Sequence, residues 1–218
     1  MQKIFKFNES ILLFGTNTNA VGNKFCKKSA ACNAVVEQVV YTADMKVVHE
    51  IAPVWNHESR ILILGTMPSP ASRAAGFFYM HGQNRFWPIM ERLFDERFRY
   101  KNNAAEKECA VSERQDFLLR RRIAVWDVLA ACSIEGAADS SIKDAVPNDF
   151  SAIFAASKIH CVFCTGKTAF RLYQKFCAAR YAVPCSCLPS TSAANRAHWP
   201  EGELLAAYER VKTAAEEA

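Results

Sequence analysis

Hydrophobic positions are spread unevenly along the 218 residues. Over residues 1–44, scattered Asn, Thr, Lys and Cys show no sustained period of 2 or 3.6, so this stretch reads as an N-terminal extension outside the folded domain. Met45 stands directly before the regular pattern. Two explanations of the extension stay open: a disordered segment, or a misassigned start with translation beginning at Met45. Residues 45–218 are expected to form one domain.

From Arg60 the pattern tightens. Ile61-Leu62-Ile63-Leu64, closed by Gly65, is short and wholly apolar, as a parallel strand buried on both faces must be. Residues 123–126, 159–164 and 183–188 repeat the signal. Helices are expected over 85–94, with Asn84 as N-cap, and over 106–122, 150–156, 167–179 and 203–217. This alternation predicts an α/β fold, a three-layer α/β/α sandwich around a four-stranded parallel sheet. Ligands of such sheets bind beyond the carboxyl ends of the strands. Here those ends are residues 65–72, 127–141, 165–166 and 188–196.

Composition narrows the class. A chain 50% hydrophobic and 22% charged supplies a full core for one soluble domain. No stretch approaches the ~18 uninterrupted apolar residues of a membrane-spanning helix. Eight Gly and eight Pro exclude collagen-like and low-complexity chains. The net charge of +5 permits an anionic partner without requiring one. Nine cysteines with no secretory leader before them point to a reducing cytoplasmic location. Cys161-x-x-Cys164 and Cys185-x-Cys187 offer four thiolates, which could in principle hold zinc or an iron–sulfur cluster. Strand alternation, however, sends Cys161 and Cys164 to opposite faces, so no metal is expected and the cysteines read as small core residues.

The fourth strand end, Pro189-Ser190-Thr191-Ser192-Ala193-Ala194-Asn195-Arg196, offers hydroxyls, backbone donors and one guanidinium. That set suits phosphate, and an ordinary capping turn is the alternative. Gly166-Lys167-Thr168 ends like a nucleotide-binding loop, but Cys161 occupies the place of the required glycine, so no phosphate cradle is expected there.

The densest segments are Gly65-Thr66-Met67-Pro68-Ser69-Pro70 and the run from Gly76 through Phe77-Phe78-Tyr79-Met80-His81-Gly82-Gln83-Asn84-Arg85-Phe86-Trp87 to Pro88. Together they resemble the uracil-DNA glycosylase superfamily, most closely its hypoxanthine (deoxyinosine) branch and next the mismatch-specific uracil enzymes. The likeness continues through Trp126-Asp127-Val128-Leu129, Gly136 to Ile142, Thr165-Gly166-Lys167 and Pro189 to Arg196, in matching order over about residues 48–210.

The resemblance implies a monofunctional DNA repair glycosylase without cofactor or metal. Its substrate would be DNA carrying a deaminated base, hypoxanthine first and uracil or xanthine also, flipped out and cut at its N-glycosidic bond to leave an abasic site. Thr66, Met67, Tyr79 and Asp127 are then expected to hold the base, with Tyr79 stacking on it. Ser69, Ser190, Thr191, Ser192 and Arg196 are expected to hold the DNA backbone. Many relatives orient the attacking water with an Asn or Asp at the place of Met67, which cannot do so. The hypoxanthine branch implies Asn84 instead, acting through its amide oxygen. Helix capping by Asn84 and plain core packing of Tyr79 are the alternatives, and His81 is expected to support the site from behind.

Leu188 stands where the uracil enzymes carry a base-binding His, which implies a wider, purine-accepting pocket, and Gly82 replaces a frequent Pro. Met67 and Leu188 together leave a second reading open, a nucleic-acid-binding module of the same fold with weak catalysis. A third, an iron–sulfur glycosylase, would need four correctly spaced cysteines. No lysine occurs in residues 65–72 or 189–196, so no Schiff base with the sugar is expected. The protein is expected to act on DNA as a monomer, with no membrane partner.

Overall fold

A computed structural model describes residues 45–101, 103–135 and 139–217. The expectations for residues 1–44, and for 136–138 of the Gly136-to-Ile142 block, lie outside the described residues. In chain order the elements are β1 (Met45–Val48), β2 (Ile61–Gly65), α1 (Pro70–Ala75), α2 (Phe86–Phe94), α3 (Lys107–Arg120), β3 (Ile123–Asp127), β4 (Leu129–Ile134), β5 (Lys143–Pro147), α4 (Ser151–Ala156), β6 (Cys161–Thr165), α5 (Lys167–Phe176), α6 (Ala178–Tyr181), β7 (Cys185–Leu188) and α7 (Glu201–Glu216).

The central sheet has the order β3-β2-β6-β7 with every neighbouring pair parallel, as the apolar runs require. Alternate side chains of β2 serve two cores. Ile61 and Ile63 pack with Phe86 and Met90 of α2, Phe117 of α3 and Tyr208 of α7. Leu62 and Leu64 pack on the other face with Ile153 of α4 and Ala169 and Tyr173 of α5. All four β2 side chains have zero exposure, which explains why the strand shows no polar alternation. Burying each such side chain contributes about 1.5–3 kcal/mol.

Three differences from the sequence reading have physical causes. Residues 127–141, expected as loop, include β4, which pairs antiparallel with β1 and β5 in a second sheet of order β1-β4-β5. Ala, Cys and Ser dominate β4, and β5 is a polar strand ending in Pro147 at the sheet edge, so neither carries a strong strand signature. The helix expected over 167–179 is broken at Cys177, a buried residue with φ −122° between α5 and α6. Helix α1 was not expected. Ser69 caps it by accepting a hydrogen bond from the Ser72 N–H at 3.2 Å, with Pro70 in the first turn.

Candidate active site

The strand ends Gly65, Asp127, Thr165 and Leu188 fall on one edge of the sheet, and a cavity of about 500 Å³ opens beyond the first three. Of the ten residues singled out from sequence, nine line it: Thr66, Met67, Ser69, Tyr79, Asn84, Asp127, Ser190, Thr191 and Ser192. Arg196 does not. It lies exposed one position past the 3₁₀ turn Ala193–Asn195, outside the cavity wall.

Gly65 and Asp127 are register partners at the ends of β2 and β3. A Cβ on Gly65 would stand 2.3 Å from Asp127 Oδ1, so only glycine lets this carboxyl group fold across the strand end toward the cavity. Asp127 is 4% exposed, and its Oδ2 is buried with no hydrogen-bond partner among the described residues. Burial, reinforced by the nearby charge of Asp139, pushes its pKa up to about 8. Asp139, in the 3₁₀ turn Asp139–Ser141, also lines the cavity and accepts a hydrogen bond from Thr66 Oγ1 at 2.9 Å. Burial raises its pKa, against the stabilising Thr66 bond. The sequence alone gives Asp139 no role, because a lone acid in a short polar turn shows no periodicity.

Tyr79 stacks on Phe86 with ring centroids 3.9 Å apart and planes 16° from parallel. Its backbone φ is 57°, a left-handed conformation that costs an aromatic residue about 1–2 kcal/mol. Thr165 Oγ1 donates to the Leu64 carbonyl at 3.2 Å, so the Tyr79 hydroxyl, 3.1 Å from Thr165 Oγ1, donates to that oxygen. The phenol is thus tied to the ends of β2 and β6, and Tyr79 is among the residues that line the cavity. Burial, then the neighbouring Asp127 charge, lifts its pKa well above the ordinary value, so it stays a neutral donor. Phe78 also lines the cavity, whereas Phe77 stacks on Trp87 in the core.

The Asn84 side chain lines the cavity, and its Oδ1 accepts from the Phe86 N–H at 2.9 Å at the start of α2. The helix starts one residue later than the sequence suggests, with Arg85 rather than Asn84 at its N-cap, so the Asn84 bond is a two-residue turn leading into α2. That bond and cavity lining coexist in one residue, since a carbonyl oxygen has two lone pairs. His81 braces the turn before it, its Nδ1 accepting from the Gln83 N–H at 3.2 Å. Arg85, the next residue, donates its backbone N–H to the Thr191 carbonyl at 3.0 Å, and its buried guanidinium reaches the Trp199 carbonyl. The start of α2 and the loop after β7 are thereby locked together.

That loop is internally fixed. Ser190 Oγ accepts from the Ser192 N–H at 3.2 Å, and Asn195 Nδ2 donates to the Ser190 carbonyl at 3.0 Å. Gly166, with φ 105°, packs against it, since a Cβ there would meet Ser190 Cβ at 3.2 Å. Thr191 is buried, while Ser192 is exposed at the rim. Leu188 is buried in the core and not among the cavity-lining residues, so the position contributes packing rather than recognition.

Cys161 packs on the α2 and α7 side of the sheet and Cys164 on the α4 and α5 side, as alternation requires. Cys164 instead meets Cys185, with sulfurs 3.6 Å apart as free thiols. Among the described residues no group of three or more His, Cys, Asp or Glu is placed to hold a metal ion. Among them, too, no helix is long and apolar enough to cross a membrane.

Comparison with known proteins places this arrangement. Two proteins named hypoxanthine DNA glycosylase, from Methanosarcina acetivorans and Methanosarcina barkeri, are each 31% identical to the chain, over 144 and 145 residues. Each match covers 66% of this chain and 85% of the relative. The solution NMR structure of a candidate uracil DNA glycosylase from M. acetivorans superposes with a TM-score of 0.63 at 28% identity, covering 79% of this chain and all of that one. The family model of the uracil DNA glycosylase superfamily matches residues 52–212, which takes in both the parallel sheet and the cavity, and the chain belongs to that superfamily.

Proposed function

We propose that the protein is a monofunctional DNA glycosylase that hydrolyses the N-glycosidic bond of a deaminated base extruded from DNA, hypoxanthine first and uracil or xanthine also, leaving an abasic site. The observation that carries this reading is the gathering of Thr66, Met67, Tyr79, Asn84 and Asp127 with the 190–195 loop around one cavity at the carboxyl end of the sheet. Tyr79, already stacked on Phe86, offers its ring to the base, and a base–aromatic stack contributes about 1–3 kcal/mol without reading sequence. Thr66, Met67 and Asp127 form the remaining base-binding wall.

In the reaction the bond from the sugar C1′ to the base nitrogen breaks, and the electron pair leaves with the base. A water oxygen forms the new bond to C1′ and gives up a proton. Asn84 orients that water. The Phe86 N–H occupies one lone pair of Oδ1 and fixes the carbonyl direction, leaving the second for a water hydrogen. Asn cannot serve as a strong base, so its effect is positional, and the cavity walls shelter an oxocarbenium-like sugar.

Ser69, Ser190, Thr191 and Ser192 line the side of the cavity on which the sugar–phosphate chain would run, and Arg196 would meet a flanking phosphate farther out. Seven free thiols among the described residues support work in the reducing cytoplasm. The test is incubation with duplexes carrying inosine, uracil or xanthine, followed by alkali to cut abasic sites. Strand cleavage supports the enzyme, and binding without cleavage supports a DNA-binding module of the same fold.

A further inference from the structure

The cavity holds two carboxyl groups in unequal surroundings. Asp139 receives a hydroxyl hydrogen bond from Thr66, whereas the buried Oδ2 of Asp127 receives none among the described residues. Two neighbouring carboxyl groups in a low-dielectric site do not both ionise readily, and the negative charge settles on the one with a donor. The proton therefore stays on Asp127. Resting on the glycosylase reading above, we propose that Asp127 meets the extruded base as a neutral carboxylic acid, its O–H donating to the base carbonyl oxygen while its C=O accepts from the adjacent ring N–H.

The fit is chemical. Deamination of adenine or cytosine replaces an exocyclic amine and an unprotonated ring nitrogen with a carbonyl oxygen beside a ring N–H. Hypoxanthine, uracil and xanthine all present this lactam edge. A neutral carboxyl group offers the complementary donor and acceptor side by side. An ionised one accepts only, and it would set its charge against the carbonyl oxygen. The O–H bond also strengthens as negative charge spreads onto the departing base, so it favours the transition state over the bound substrate. One residue thus tells hypoxanthine from adenine and uracil from cytosine in a single cavity; guanine and thymine carry the same edge, so their exclusion falls to other walls of the cavity.

The other titratable and charged groups around Asp127 are Asp139, the Tyr79 phenol, Arg73 of α1 and His81 on the cavity wall, and His49 behind it. His49 connects through Asn148, which donates to the Asp127 carbonyl at 2.9 Å. Burial lowers the pKa of His49 from 6.5, and that of Tyr79 lies well above 10. Neither titrates where Asp127 does, at about 8. Activity is therefore expected to be complete below that pH and to fall about tenfold per pH unit above it.

The experiment is single-turnover cleavage of an inosine duplex from pH 5.5 to 9.5 by the wild type, Asp127→Asn, Asp127→Ala and Asp139→Asn. Asp127→Asn carries a permanent N–H donor and C=O acceptor, so it is expected to work several-fold more slowly and to lose the alkaline fall. Asp127→Ala should fall a hundredfold or more below the wild-type plateau and show no alkaline fall of its own. Asp139→Asn, which removes the charge that adds to burial in holding the proton on Asp127, should move the fall to lower pH. An alkaline fall that survives in Asp127→Asn, or an Asp127→Asn as inactive as Asp127→Ala, overturns the proposal while leaving the glycosylase reading intact. A wild type that cuts none of the inosine, uracil and xanthine duplexes overturns that reading and the proposal with it.

Discussion

Gly65→Ala is the sharpest probe of the site because the structure fixes what the added methyl group meets. The new carbon would stand 2.3 Å from Asp127 Oδ1 and 3.3 Å from the Tyr79 hydroxyl. An ordinary contact distance is about 3.5 Å, so the carboxyl group must retreat by about 1 Å. A displacement of that size in a group that orients the base costs about a hundredfold in rate. Stability should fall by about 1–3 kcal/mol from overpacking, offset by about 0.4–1 kcal/mol from the smaller entropy of the unfolded chain. A net loss of about 1–2 kcal/mol is expected. Because the clash is with the Asp127 side chain, Asp127→Ala should absorb it. In a double-mutant cycle, Gly65→Ala should then cost little stability beyond what Asp127→Ala already costs. Single-turnover cleavage of an inosine duplex and urea unfolding measure the two effects. A Gly65→Ala protein with wild-type rate and stability would place the Asp127 carboxyl somewhere other than against the end of β2.

Three further outcomes are expected. Asn84→Ala should lower single-turnover cleavage by a hundredfold or more with DNA affinity nearly intact, and the lost hydrogen bond from the Phe86 N–H should cost about 1 kcal/mol in urea unfolding; unchanged turnover would assign the water to another residue. Arg196→Ala should weaken binding to unrelated duplexes about equally and reduce the slope of log affinity against log salt by about one, measured by fluorescence anisotropy. An unchanged slope with a lower melting temperature would make residues 190–196 a structural turn. Borohydride should trap no protein–DNA adduct, since no lysine lies among the cavity-lining residues, and a trapped adduct would require a Schiff-base mechanism.

The parallel sheet was legible in the sequence because burial on both faces leaves a simple mark. Ile61 to Leu64 has no polar position to confuse the pattern, and the same holds for the other three strands to a lesser degree. The second sheet was not legible. Its β4 is built from residues with weak strand preference, and its pairing with β1 spans more than eighty residues of chain, which no local window detects. The site divides along the same line. Asn84, Tyr79 and Thr66 stood in dense blocks whose residue types carry a family likeness. Asp139 reaches the cavity only because its turn folds back to Thr66, a contact 73 residues apart along the chain. Arg196 shows what sequence leaves open: its charge marks it, but only the structure shows that the 3₁₀ turn before it sets it outside the cavity wall.

The state of Asp127 also bears on stability, and the sign can be worked out. Its pKa in the folded protein, about 8, lies above the ordinary 3.8. Stability from the protonated form is then fully present below about pH 4 and is lost progressively as pH rises through about 8. At about 1.4 kcal/mol for each tenfold change in proton affinity, the ceiling on this loss is about 6 kcal/mol. Against a typical total of about 5–15 kcal/mol, no small domain carries such a cost for packing alone. An aliphatic residue at position 127 would close β3 with no unpaired oxygen at all, and Gly65 could then be alanine without a clash. Keeping a glycine at the end of one strand so that an unpaired carboxyl group can lie across it makes physical sense if something enters the cavity to complete the missing hydrogen bond. A base with a carbonyl oxygen beside a ring N–H supplies both partners at once.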